Sequence, residues 1–112
     1  MTFSFTSDKI GDAILTKKNL ELKGLFDNSQ VSANKEFSEY YRFKEQNISV
    51  KIEKSPGKLH HKVFIIDGKT IITGSFNPTT NGNTRNDENI IIINNDEVAQ
   101  EFLKEFDRIW NM

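Results

Sequence analysis

The chain holds its only two histidines side by side, His60 and His61, within the stretch KLHHKVFIIDGKTIITGSFNPTT at residues 58–80. An imidazole can attack phosphorus or move a proton near neutral pH. An ammonium adds positive charge, and hydroxyl and carboxamide groups add neutral hydrogen bonds. All of these groups stand in this one stretch, as His60, Lys62, Ser75 and Asn77. Together they suit a phosphate. No carboxylate cluster accompanies them, so the pattern does not match a magnesium-dependent phosphoryl site, and no cofactor is expected. The chain has no cysteine, which excludes disulfides, thiolate metal sites and cysteine nucleophiles.

A hairpin must bring these side chains together. The segments LHHKVFII and KTIITG flank Asp67–Gly68, a dipeptide suited to tight two-residue turns. Alternate side chains of a strand share a face, so His60 and Lys62 point the same way, about 7 Å apart by strand rise, while His61 points to the other face. The returning strand ends at Gly74–Ser75–Phe76–Asn77, beside the start of the first. His61 is therefore read as structural. Asp67 is read as a turn-former and supporting group, not a catalyst.

The remaining segments supply the scaffold. TFSFT alternates Phe3 and Phe5 as a short strand, and Ser7 or Asp8 caps a helix through about Lys18, with Ile10, Ala13, Ile14 and Lys17 on one stripe. LELKGLFD and ISVKIE read as strands, and NKEFSEYYRFKEQ as an amphipathic helix carrying Phe37, Tyr40, Tyr41 and Lys44 on one face. Residues 76–87 read as an ordered loop with one helical turn. ENIIIIN lacks polar alternation and reads as a strand buried on both faces. NDEVAQEFLKEFDRIW is a capped helix with Val98, Phe102, Phe106, Ile109 and Trp110 inward. This order predicts an α/β fold, a mixed β-sheet flanked by helices, in one domain over 1–112. If residues 1–112 are the whole domain, an edge of the sheet must be made by very few residues.

The 112 residues are 36% hydrophobic and 28% charged, which allows one modest core. A net charge of −1 gives no global basic field. Lys51, Lys54, Lys58, Lys62 and Lys69 nonetheless outnumber Glu53 and Asp67 locally, and with Arg85 they read as a face able to guide a polyanion. No apolar run approaches the length of a membrane-spanning helix, and the N-terminus lacks a signal-peptide pattern, so a cytoplasmic location is expected.

The spacing His60-x-Lys62-x4-Asp67-x6-Gly74-Ser75-x-Asn77 resembles the complete signature motif of the phospholipase D superfamily. Glu88, eleven residues after Asn77, and the helix EFLKEFDRIW resemble the closing part of its single-motif members, the small bacterial endonucleases and their mitochondrial or piRNA-pathway relatives. The likeness is strong from Leu59 onward and loose before it. It implies a phospholipase D/nuclease-like fold and a metal-independent phosphodiesterase. In that chemistry one histidine attacks phosphorus to form a phosphohistidine, and a second protonates the leaving oxygen. The resemblance makes Lys62, Ser75 and Asn77 phosphate ligands and Glu88 the acid that fixes a histidine tautomer. One histidine cannot easily serve both sides of an in-line displacement. A homodimer is therefore implied, each chain giving His60, Lys62, Ser75, Asn77 and Glu88 to a shared site. Family members carry a strand and a helix ahead of the FSFT-like strand, and these are expected to be missing here. Nucleic acid, DNA or RNA, is the expected substrate, cleaved with little sequence preference. A phospholipid hydrolase or phosphatidyl transferase, and a non-catalytic fragment that binds nucleic acid or a partner, are the alternatives.

Overall fold

The computed structural model describes all 112 residues. In chain order the elements are α1 (Asp8–Leu15), β1 (Lys23–Phe26), α2 (Asn28–Ala33), α3 (Glu39–Glu45), β2 (Ser49–Ile52), β3 (Val63–Ile66), β4 (Thr70–Gly74), α4 (Thr80–Thr84), β5 (Ile90–Asn94) and α5 (Asp96–Trp110). The strands β1 and β2 pair parallel, as a crossover through two helices demands. The strands β3, β4 and β5 form an antiparallel meander. Asp67 and Gly68 take φ values of +54° and +62°, the left-handed pair of a tight hairpin turn. That fixes the register, with Val63 opposite Thr73 and Ile66 opposite Thr70.

Residues 1–3 join the two pieces. Thr2 bridges parallel to Phe26 and antiparallel to Lys62. Its amide donates to the Leu25 carbonyl at 3.0 Å, and the Phe3 amide donates to the His61 carbonyl at 2.8 Å. The opening segment is therefore not at an edge of the sheet. It lies at the centre, and the sheet edges are β2 and β5.

Each sheet face carries its own core. On one, Leu25, Leu59, Val63 and Ile71 meet Ala99, Phe106 and Ile109 of α5. On the other, Phe5 and Phe26 meet Val31, Tyr40 and Phe43, with Ile10 and Ile14 of α1 packed against them. Each large apolar side chain buried in these layers contributes roughly 1.5–3 kcal/mol. Below Thr2 the seam between β1 and β3 opens into an apolar cavity of about 560 Å³, walled by Leu22, Phe64 and Leu103 among others.

Three expectations are corrected. α1 ends at Leu15, short of Lys18, because the Thr16 hydroxyl donates back to the Ala13 carbonyl and Asn19 turns the chain with φ +57°. The helix expected over residues 34–46 begins only at Glu39, because the Ser38 side chain accepts from the Tyr40 amide and caps it there. Phe37 is left exposed outside that helix, and α2 forms upstream under its own cap, Asp27. Most consequentially, β5 is not buried on both faces. It is an edge strand of which Ile93 packs against the core, while Ile90, Ile91 and Ile92 are exposed. An unbroken apolar run identifies a strand but cannot say whether a neighbour exists to cover it.

Asp27, 1% exposed, ties the end of β1 to the entry of the histidine strand. One carboxylate oxygen accepts from the Gln30 amide at 3.0 Å, capping α2, and the other accepts from the Leu59 amide at 3.0 Å. Asp27→Ala removes a cap and strands a buried amide, so a destabilisation of about 3 kcal/mol is expected in urea unfolding. A loss below about 1 kcal/mol would show that water replaces the carboxylate. The isoleucines give a second contrast. Ile71, 0% exposed, should cost about 2–4 kcal/mol as Ile71→Ala, whereas Ile92→Ala, at 62% exposure, should stay within about 0.5 kcal/mol by the same measurement.

Candidate active site

The Asp67–Gly68 turn sets the face on which each histidine falls. His60 and Lys62 lie on one side, where the Lys62 ammonium stands 3.3 Å from Nδ1 and 3.4 Å from Nε2 of the His60 ring and donates to the His60 carbonyl at 2.9 Å. His61 points away, its Nε2 lying 3.4 Å from Glu105 on α5. Glu105 also takes two hydrogen bonds from Arg108, and these, with the His61 contact, hold its carboxyl down at about 2. His61 thus belongs to a scaffold cluster, on the extended segment that leads into β3.

The returning strand delivers the neutral groups. The Ser75 hydroxyl donates to Glu88 and accepts from the Asn89 amide at 3.1 Å, while Asn86 donates to the other Glu88 oxygen at 3.2 Å. This crossing depends on Gly74. Its φ is +152°, and a Cβ there would lie 2.2 Å from the Asn89 carbonyl oxygen, so any larger residue would push the Glu88 segment away from Ser75. The Asn77 carboxamide oxygen accepts from the Ser4 amide at 3.4 Å, and the Pro78 carbonyl accepts from the Thr6 and Ser7 amides. The end of the motif is thereby fastened to the opening segment.

Electrostatics concentrate on Lys62. Partial burial pushes its ammonium below the usual lysine range, and the negative charge of Glu88 works in the opposite direction. Of the five expected phosphate-site residues, His60 pairs with Lys62, Ser75 pairs with Glu88, and Lys62 feels the Glu88 charge. Asn77 is held by the backbone next to them. Glu88 engages Ser75 and Asn86 instead of a His60 ring nitrogen. The basic face read along residues 51–69 divides. Lys58 stays with Lys62 over the Phe3 ring, at 6.0 and 5.3 Å, whereas Lys51 donates to the Trp110 carbonyl and lies over its indole. Lys69 sits beyond the Asp67–Gly68 turn at the far end of the hairpin. Lysines close in sequence part because the hairpin and β2 carry them to different ends of the sheet.

Two participants escaped the sequence reading. Phe3 reads as one half of an apolar alternation with Phe5, yet only Phe5 enters the core. The Phe3 ring packs on the His60 imidazole, centroids 4.5 Å apart at 56°, and so walls the site. Asp27 reads as the last residue of a strand, and only the fold places its carboxylate under Leu59, next to His60. No local pattern marks either one, since both roles depend on where residues 1–3 insert.

The family model described as cardiolipin synthase, PLD-like domain matches residues 1–110. A mitochondrial cardiolipin hydrolase of Chlamydomonas reinhardtii is 33% identical over 112 residues, covering 98% of this chain and 49% of that protein. A phospholipase D of Rickettsia felis is 39% identical over 102 residues, covering 85% of this chain and 50% of that protein. The chain thus spans about half the length of these relatives. Among solved structures, the phospholipase D family member Nuc from Salmonella typhimurium superposes with a TM-score of 0.87 at 29% identity, over 99% of this chain and 75% of that one. NucT from Helicobacter pylori, at 21% identity and a TM-score of 0.86, shares the fold over 98% of this chain and 76% of that one. With a family match along nearly its whole length and the motif gathered at one end of a hairpin, the chain belongs to the phospholipase D-like family.

Proposed function

We propose that the chain carries one half of a phosphodiesterase site that cleaves nucleic-acid phosphodiester bonds through a phosphohistidine. The observation that carries this reading is the contact of the exposed His60 imidazole with the Lys62 ammonium, set beside the Ser75–Glu88 pair. A ring nitrogen of His60 attacks phosphorus while Lys62, Ser75 and Asn77 hold the non-bridging oxygens. The bond to the leaving oxygen breaks as that oxygen takes a proton. Water then attacks the phosphohistidine, gives up its proton to the group that acted as acid, and frees His60. The acid must stand opposite the nucleophile. The structure puts only one imidazole on this face, so the proposal assigns that role to the His60 of a second copy related by a two-fold axis. Glu88 acts through Ser75 and through the charge it places near Lys62.

Nucleic acid is favoured over lipid because the surroundings of His60 are polar and cationic. The large apolar cavity of the sheet seam is lined by none of His60, Lys62, Ser75, Asn77 or Glu88, so it offers no acyl groove at the reacting atoms. The relatives, a cardiolipin hydrolase and a phospholipase D, support a second reading, hydrolysis of cardiolipin or another phospholipid. No helix is long and apolar enough to cross a membrane.

The test is cleavage of a fluorescent single-stranded oligonucleotide in excess EDTA, run in parallel with vesicles containing cardiolipin. His60→Ala should lower the rate at least about 10³-fold, while His61→Ala, altering only the contact with Glu105, should retain it. Oligonucleotide left intact beside hydrolysed cardiolipin would move the assignment to lipid. The pH profile gives a further check. Only the ammonium form of Lys62 stabilises phosphate charge, and its pKa is lowered, so activity should fall as pH rises through a value below 10.5. Lys62→Arg, which keeps its charge, should move that alkaline limb upward even as the maximal rate drops.

A further inference from the structure

A second concavity opens beside the motif. It holds about 320 Å³ and is lined by nine residues of which one is hydrophobic. Carboxamides dominate, from Gln30, Asn34, Asn77, Asn81 and Asn86, with Phe3 as the aromatic member and hydroxyl side chains completing the wall. No Asp, Glu, Lys or Arg takes part. Two of its members also belong to the phosphate site. Phe3 packs on the His60 ring, and Asn77 is the last residue of the motif. The cavity is thus one side chain away from the reacting imidazole.

We propose that this cavity is a nucleobase subsite, which receives a base flanking the cleaved phosphodiester. The proposal rests on the nucleic-acid reading above and sharpens it. A neutral wall of carboxamides offers donors and acceptors together, as the edges of bases do, and carboxamides pair with bases through two hydrogen bonds. The Phe3 ring supplies a stacking surface that any base can use. An acyl chain finds only one apolar partner here, and a second phosphate finds no cation. The side chains of Gln30 and Asn81 make no hydrogen bond within the chain, so their amides are free for a ligand. A base that enters must leave its stack, so single strands are bound in preference to duplex.

The test compares a single-stranded oligonucleotide with the same oligonucleotide carrying abasic sites around the scissile phosphate. Wild type should cleave the base-bearing strand about tenfold faster, measured as kcat/KM. In Gln30→Leu and Asn81→Leu that ratio should fall toward one, chiefly through a higher KM for the base-bearing strand. A wild-type ratio near one would overturn the subsite while leaving the nuclease reading intact. So would variants that keep the full ratio. Failure of wild type to cleave either strand while it hydrolyses cardiolipin vesicles would overturn the nuclease reading itself, and the subsite with it. The wild-type ratio requires no substitution, so a variant that fails to fold does not remove the test.

Discussion

The structure depends on three residues at the start of the chain being inserted between β1 and β3. A two-stranded parallel piece and a three-stranded meander have no other backbone link. Thr2 makes the link through bridges to Phe26 and Lys62. The same insertion aims Phe5 into one core and leaves Phe3 against His60. It also lines up the Ser4 amide with Asn77. Sheet closure and site assembly are therefore one event. The His60 ring is exposed, and much of what restrains it comes from a segment distant in sequence. Local opening at this seam would disorder the imidazole before the cores give way, since seams held by few backbone bonds open at lower free energy than packed layers.

Around that seam, polar anchors set position and apolar layers supply stability. Asp27 shows the division. It adds no apolar area, yet it joins the end of β1, the start of α2 and the residue ahead of His60 through one carboxylate. The buried Glu39 acts similarly between helices, with Arg42 reaching Glu39, Asp12 and the Asp8 carbonyl to bind α3 to α1. Burial raises the Glu39 carboxyl pKa, and the guanidinium only partly offsets this. Such pairs contribute less to net stability than to geometry.

Sequence pattern was most informative where the chemistry is local. The Asp67–Gly68 turn, the opposite orientation of His60 and His61, the inward stripe of α5 and the single helical turn near Thr80 all follow from neighbouring residues. It failed where the answer lay across the sheet. The run Ile90–Ile93 has the composition of a doubly covered strand, and nothing within it records that one side has no neighbour. Phe3 and Phe5 look alike in sequence, and their roles separate only because the opening segment passes from the site into the core. The split of the lysines has the same origin, since Lys51 and Lys58 belong to elements that end in different places.

The hairpin also constrains how this protein can change length. Its two arms run from a fixed left-handed turn to a chemical terminus at His60 on one side and Ser75 on the other. Deleting or inserting one residue in the first arm would exchange the places of the adjacent histidines, sending His60 toward Glu105 and His61 toward the phosphate site, without Lys62 two residues ahead. A change in the second arm would move Gly74 off the Asn89 carbonyl. Indels here are tolerable only as matched pairs, one in each arm. Neutral drift in loop length is therefore confined to the connections outside residues 60–75.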